Sequence, residues 1–216
     1  MSAITFIIGN RNYSSWSLRG WLMVRRAGVE FTEVMIPLDE AGFKEEILSH
    51  SAAGLVPILK TGGQTLWDSL AIGEYLAETN PDAGLWPAEA SKRAEARCVA
   101  SEMHSGFAAL RTHMPMDLRN SLPGQGMAPG VAEDIARITR IWTDCRRDHG
   151  EGGPFLFGSF TIADAMFAPV VGRFRTYGVE LDDSCQNYAD AVWQWPDMRE
   201  WVAAAAREPQ VINLAT

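Results

Sequence analysis

The sequence predicts an α/β plus all-α protein, with a small βαβ-α-ββα domain over residues 1–79 and a helical bundle over residues 91–216, joined by a linker at 80–90. Three observations predict it. Apolar, β-branched runs alternate with helix-spaced stretches up to about residue 79. The turn-rich segment from Asn80 to Pro87 then breaks the alternation. Beyond Ser91 the spacing is almost only helical.

In order, the first domain reads as a strand (Ile4 to Ile8), a helix (about Trp16 to Ala27) and a strand (Phe31 to Ile36). A short helix (Gly42 to Leu48), strands at Pro57 to Leu59 and Thr65 to Trp67, and a helix from Ser69 to Glu78 complete it. In the second, Met103, Phe107, Leu110 and Met114 recur at steps of four, three and four, the face of one helix, which Pro115 should kink or end. Ser121 to Gly130 carries two prolines and three glycines and reads as a loop. Val131 to Asp148 reads as the next helix. Thr161-Ile162-Ala163-Asp164 has the spacing of a capping box, in which the threonine oxygen and the Asp164 carboxylate satisfy exposed amides. A buried helix to about Tyr177 should follow it.

Composition bounds the function. The chain of 216 residues is long enough to bury roughly 70% of its unfolded surface without disulfides or metals. A formal net charge of −8 with no basic block argues against nucleic acid or an anionic membrane surface as partner. Three scattered cysteines, Cys98, Cys145 and Cys185, suit a reducing compartment and read as buried apolar fillers. No apolar run approaches a membrane span and no signal peptide is visible, so the expected location is cytoplasmic. His50, His104, His113 and His149 lack metal-ligand spacing, and no metal is expected. There is no Gly-x-Ser-x-Gly elbow, phosphate-cradling glycine loop or dinucleotide fingerprint. The carboxylates read as solvated helix faces.

Four short motifs carry the chemistry, and each has a plain structural explanation when taken alone. Ser14 and Ser15 precede a helix and fit an ordinary N-cap. Asp68-Ser69 fits another, and Val56-Pro57 taken alone is expected to be trans. Their order is more specific. Ser14-Ser15-Trp16-Ser17-Leu18-Arg19, then Val56-Pro57, then Asp68-Ser69, then Thr161-x-x-Asp164, resembles the cytosolic glutathione transferases over nearly the full chain. The first motif is similar to the Ser-Ser-Cys-Ser-Trp-Arg pattern of the zeta class.

The resemblance implies a thioredoxin-like first domain that binds glutathione, a homodimer, and a hydroxyl on the glutathione sulfur. A free thiol has a pKa of about 8.5, and only its thiolate is a good nucleophile. A donated O–H and a helix N-terminus can lower that by about two units, roughly 2.7 kcal/mol. By resemblance Ser14 takes this role, with Ser15 as runner-up. Val56-Pro57 would be the cis-proline corner whose backbone pairs with the cysteinyl part of glutathione. Ser69 would hold the γ-glutamyl carboxylate at a helix N-terminus and Asp68 the ammonium group. Trp16 and Leu55, also placed at the glutathione site, depart from the pattern. Trp16 replaces the zeta cysteine, which weakens transfer of the isomerase activity. Leu55 replaces a usual Lys or Gln, leaving the glycyl carboxylate to another group such as His50. Candidates for the second-substrate site are Tyr13, His104, Phe107, Arg111, Met114, Arg173 and Arg175, because an arginine near position 175 holds a substrate carboxylate in zeta relatives.

Three readings follow. The first is a transferase that adds glutathione to a small hydrophobic electrophile. The second is a zeta-like isomerase of an unsaturated diacid, favoured if Arg111, Arg173 or Arg175 faces the sulfur. The third is a non-catalytic binding module.

Overall fold

A computed structural model describes residues 3–212 of the chain. The first domain is a four-stranded mixed sheet in the order β2-β1-β3-β4, built from β1 (Ile4–Ile8), β2 (Phe31–Met35), β3 (Ile58–Thr61) and β4 (Gln64–Trp67). β1 and β2 are parallel, so helix α1 (Ser15–Arg26) forms the crossover between them. β1 pairs antiparallel with β3 (Phe6 opposite Leu59), and β3 with β4.

The two-residue period of a strand explains the layers. Phe6 and Ile8 point into the large core with Leu18 and Leu22 of α1 and Ile72 of α3 (Ser69–Thr79). Ile7, between them, joins Ile36, Ile58 and Ile47, the last carried by α2 (Phe43–His50), on the opposite face. Gly20 of α1 is where helix meets sheet most closely. A Cβ there would stand 2.9 Å from Phe6 Cζ and from Pro57 Cγ, so a side chain would push the helix off Pro57.

After a 3-10 turn at Pro81–Ala83 the chain is helical: α4 (Ala90–Ser105), α5 (Ala108–His113), α6 (Val131–His149), α7 (Ile162–Tyr177), α8 (Asp183–Gln194) and α9 (Pro196–Ala205). The single helix expected through Met103 and Met114 is in fact two. Gly106 ends α4 and Phe107 takes a left-handed φ of 62° before α5 begins. The Arg111 guanidinium accounts for the break, because it donates to the carbonyls of Met103, His104 and Gly106 that continued helix would have used. All four residues of the expected stripe are still buried.

Every residue of α7 except Arg175 is buried, as befits a helix apolar on all sides. Its start is fixed as the Thr-x-x-Asp spacing predicts: Asp164 accepts hydrogen bonds from the Thr161 amide at 2.8 Å and hydroxyl at 3.1 Å. It also accepts one from the Leu156 amide at 3.0 Å. Burial nevertheless pushes the Asp164 carboxyl up to about 6.

The solvated-carboxylate expectation fails at Asp117 and Glu208, which are buried and accept hydrogen bonds from the distant serine turn. Cys145 and Cys185 are buried as expected, whereas Cys98 sits on the outer face of α4 and is exposed. Among the described residues no helix is long and apolar enough to cross a membrane, and no three His, Cys, Asp or Glu side chains are grouped to hold a metal.

Candidate active site

The loop between β1 and α1 is a tight turn: the amides of Tyr13 and Ser14 both donate to the Asn10 carbonyl, at 3.3 and 2.8 Å. Ser14 caps α1 and accepts from the Ser17 amide at 3.3 Å. The Ser14 and Ser17 hydroxyls lie 2.8 Å apart, and Ser17 Oγ accepts in turn from the Gly9 amide at 2.9 Å. The Ser14 hydroxyl is the donor of this pair. Ser17 was not singled out from the sequence. Its only signal was its place three residues beyond a cap. Ser15, the first residue of α1, accepts from Arg173 Nη2 at 3.3 Å.

Three arginines converge beside these serines. Arg19 is fully buried and donates Nε to the Met166 carbonyl at 2.9 Å, while both its terminal nitrogens lack a partner among the described residues. Arg173 is buried on α7 and donates Nε to the Met114 carbonyl at 2.8 Å, and its Nη1 also lacks a partner among the described residues. The Trp16 indole lies against two of these cations, 4.5 Å from the Arg19 guanidinium carbon and 4.9 Å from that of Arg111. None of the three forms an ion pair among the described residues. Burial first, and then the charge of Arg111, push the Arg173 guanidinium down to about 9. Arg19 falls well below its ordinary value through burial and then the charges of Arg111 and Arg173. Burial also lowers Arg111, partly offset by Asp134.

The groups expected to bind glutathione come from the turn before β3 and the start of α3. Val56-Pro57 is cis. Asp68, at a φ of 72°, caps α3 by accepting from the amides of Leu70 at 2.9 Å and Ala71 at 3.2 Å. Its second oxygen is 3.1 Å from His104 Nε2, and the His104 ring packs edge-on against Trp16. The Ser69 hydroxyl is buried without a partner among the described residues. A buried hydroxyl of this kind is best satisfied by a ligand. Ser69→Ala should therefore weaken glutathione binding about tenfold, the loss of one charge-assisted hydrogen bond, with little change in thiol ionisation. Calorimetric titration measures it, and an unmoved Kd would remove Ser69 from the γ-glutamyl site. Lys60 Nζ donates to His50 Nδ1 at 3.2 Å, which puts an ammonium group beside the histidine expected to serve the glycyl end. Leu55 is 66% exposed and makes no wall of an enclosed site.

The remaining candidates divide. Tyr13 accepts from Arg119 Nη2 at 2.9 Å through its hydroxyl. Met114 and Phe107 are core residues, with 1% and 7% of their surface exposed. Arg175 must be withdrawn from the site. It is exposed, pairs with Asp190 at 3.3 Å and stacks 4.6 Å from Trp193. Two residues along α7 turn a side chain through roughly 200°, so Arg173 faces inward when Arg175 faces out. A surface hollow of about 650 Å³ lined by Ile4, Glu30 and Phe31 lies at the opposite end of β1 from Ser14.

Comparison with known proteins agrees with this geometry. Residues 13–79 match the glutathione S-transferase N-terminal domain and residues 88–204 its C-terminal domain. The chain is 36% identical over 178 residues to maleylacetoacetate isomerase of Rattus norvegicus, covering 79% of this chain and 78% of that one. It is 29% identical over 176 residues to a probable maleylacetoacetate isomerase of Caenorhabditis elegans, covering 79% and 78%. A bacterial zeta-class maleyl pyruvate isomerase superposes with a TM-score of 0.73 at 23% identity, covering 96% of this chain and all, 100%, of the other. A Burkholderia glutathione transferase homologue with bound glutathione gives 0.71 at 22% identity, covering 94% and 98%. With both halves matched and the sheet, the helical bundle and the serine turn in their expected order, the chain belongs to the glutathione S-transferase family.

Proposed function

We propose that this protein is a glutathione-dependent cis–trans isomerase of an unsaturated dicarboxylate, of the kind its maleylacetoacetate isomerase relatives are named for. The observation that carries the reading is the grouping of the Arg19, Arg111 and Arg173 guanidinium groups beside Ser15 and Trp16, the first and last buried and Arg111 half-buried, with no carboxylate paired to them among the described residues. Like charges gathered without counterions favour a polyanionic ligand. In this reading Ser14 donates to the glutathione sulfur and holds it as thiolate. The thiolate forms a C–S bond to the alkene carbon, and the π electrons move onto the conjugated carbonyl as an enolate. The former double bond rotates, the enolate collapses, and the thiolate leaves unchanged. The arginines bind the carboxylates and stabilise the enolate charge.

The sequence-based first choice, conjugation of a small hydrophobic electrophile, is the second reading, and Trp16 in place of the zeta cysteine favours it. Arg173→Met separates the two. It should reduce turnover of a cis-unsaturated keto diacid about a hundredfold, the loss of a charged hydrogen bond of roughly 3 kcal/mol, while conjugation of a neutral aryl halide changes little. Equal losses on both substrates, or no isomerase activity in the parent protein, would favour conjugation. The expected homodimer would have exposed Trp67 and Leu55 to cover, and sedimentation measures it.

A further inference from the structure

The buried carboxylate of Glu208 takes no part in the chemistry above, yet it reaches the turn that carries Ser14. Its Oε1 accepts from the Arg11 amide at 2.6 Å and its Oε2 from the Asn12 amide at 3.1 Å, bridging 197 and 196 residues of chain. Asn12 is itself fully buried, and among the described residues no group other than Glu208 accepts from these two adjacent amides. The same turn is gripped from other directions. Trp201 Nε1 donates to the Arg11 carbonyl at 2.9 Å. The Asn12 side chain donates to Asp117 at 2.8 Å and accepts from the Arg119 amide at 2.9 Å. Arg119 closes the circuit by donating to the Tyr13 hydroxyl at 2.9 Å and to the carbonyls of Glu208 and Gln210.

We propose that Glu208 is a positioning residue for Ser14: the segment after α9 straps the serine turn to the helical domain and fixes where the hydroxyl points. The proposal rests on the assignment of Ser14 to the glutathione sulfur. Two consecutive N–H groups aimed at one carboxylate set the orientation of the Arg11 and Asn12 peptides, and Ser14 follows two residues later. Released from Glu208, these amides would turn elsewhere for partners. The hydroxyl would lose its aim without losing its identity. Simple stabilisation by burial would predict a lower melting temperature and nothing more.

The test is the pKa of glutathione bound to the full-length protein, read from thiolate absorbance against pH in the parent, Ser14→Ala, Glu208→Gln, Glu208→Ala and Asp182→Ala. Asp182 caps α8 by accepting from the Cys185 amide at 2.8 Å, away from the serine turn, and serves as a control for destabilisation alone. Expected is a thiol pKa raised by about one unit in Glu208→Ala and about half that in Glu208→Gln, which keeps one acceptor, with Kd for glutathione changed less than threefold. Asp182→Ala should leave it where it was. If Ser14→Ala raises the thiol pKa and neither Glu208 variant does, Glu208 is structural only and the proposal is overturned. If Ser14→Ala itself changes nothing, the Ser14 assignment falls and the proposal with it. Should Glu208→Ala fail to fold, Glu208→Gln alone decides.

Discussion

Ser14→Ala is expected to raise the pKa of bound glutathione by about two units, back toward the 8.5 or so of the free thiol. At pH 6.5 that lowers the thiolate fraction roughly fiftyfold, so kcat/KM should fall by a similar factor there and recover as the pH is raised toward 9. A recovering alkaline limb is the signature of lost ionisation, as opposed to lost binding. The same residue caps α1, with the Ser17 amide 3.3 Å from its hydroxyl, so about 1 kcal/mol of stability should go with it. Ser15→Ala is the comparator. Its hydroxyl accepts from Arg173, so its loss should bear on the dicarboxylate and not on the thiol. A pH profile unchanged in Ser14→Ala and displaced in Ser15→Ala would reverse the two roles.

The second large effect is on stability. Asp164→Ala strips the acceptor from the amides of Leu156 and Thr161 at the start of the most buried helix. Each orphaned buried donor costs about 1–3 kcal/mol, which puts the loss at several kcal/mol before any relief from removing a buried charge. The sign of that relief follows from the carboxyl being raised to about 6 from 3.8. A carboxyl raised in the folded state contributes stability that is full below 3.8 and is lost as pH climbs through 6. The parent's advantage over Asp164→Ala should therefore grow, by on the order of 1 kcal/mol, when denaturant unfolding is repeated at pH 5 instead of pH 8. A difference that shrank toward acid would mean the carboxylate is favoured as an ion after all.

Local pattern carried most of the fold. Ile4 to Ile8 and Phe31 to Ile36 read as strands because each puts alternate residues into two cores, and the Thr161 cap could be named because its partners are three residues apart. The break at Gly106 could not be read, since the apolar spacing runs on through it and the guanidinium that ends α4 is donated from Arg111. The serine turn, the cis Val56-Pro57 corner and the Asp68 cap were legible as a series of motifs in order. What joins them was not. Arg173 and Arg175 look alike in sequence because α7 is apolar on every side and offers no polar face to mark which arginine points out. Glu208 and Asp117 resembled surface carboxylates because their partners lie more than a hundred residues away.

The guanidinium groups of Arg19 and Arg173, which have no carboxylate partner among the described residues, bear on handling at the bench. Sulfate, phosphate and citrate are small oxyanions of the type such groups prefer. In those buffers they would compete for the same cations and hide turnover. Preparations and assays in a zwitterionic buffer with chloride as the sole anion would report the protein's own activity.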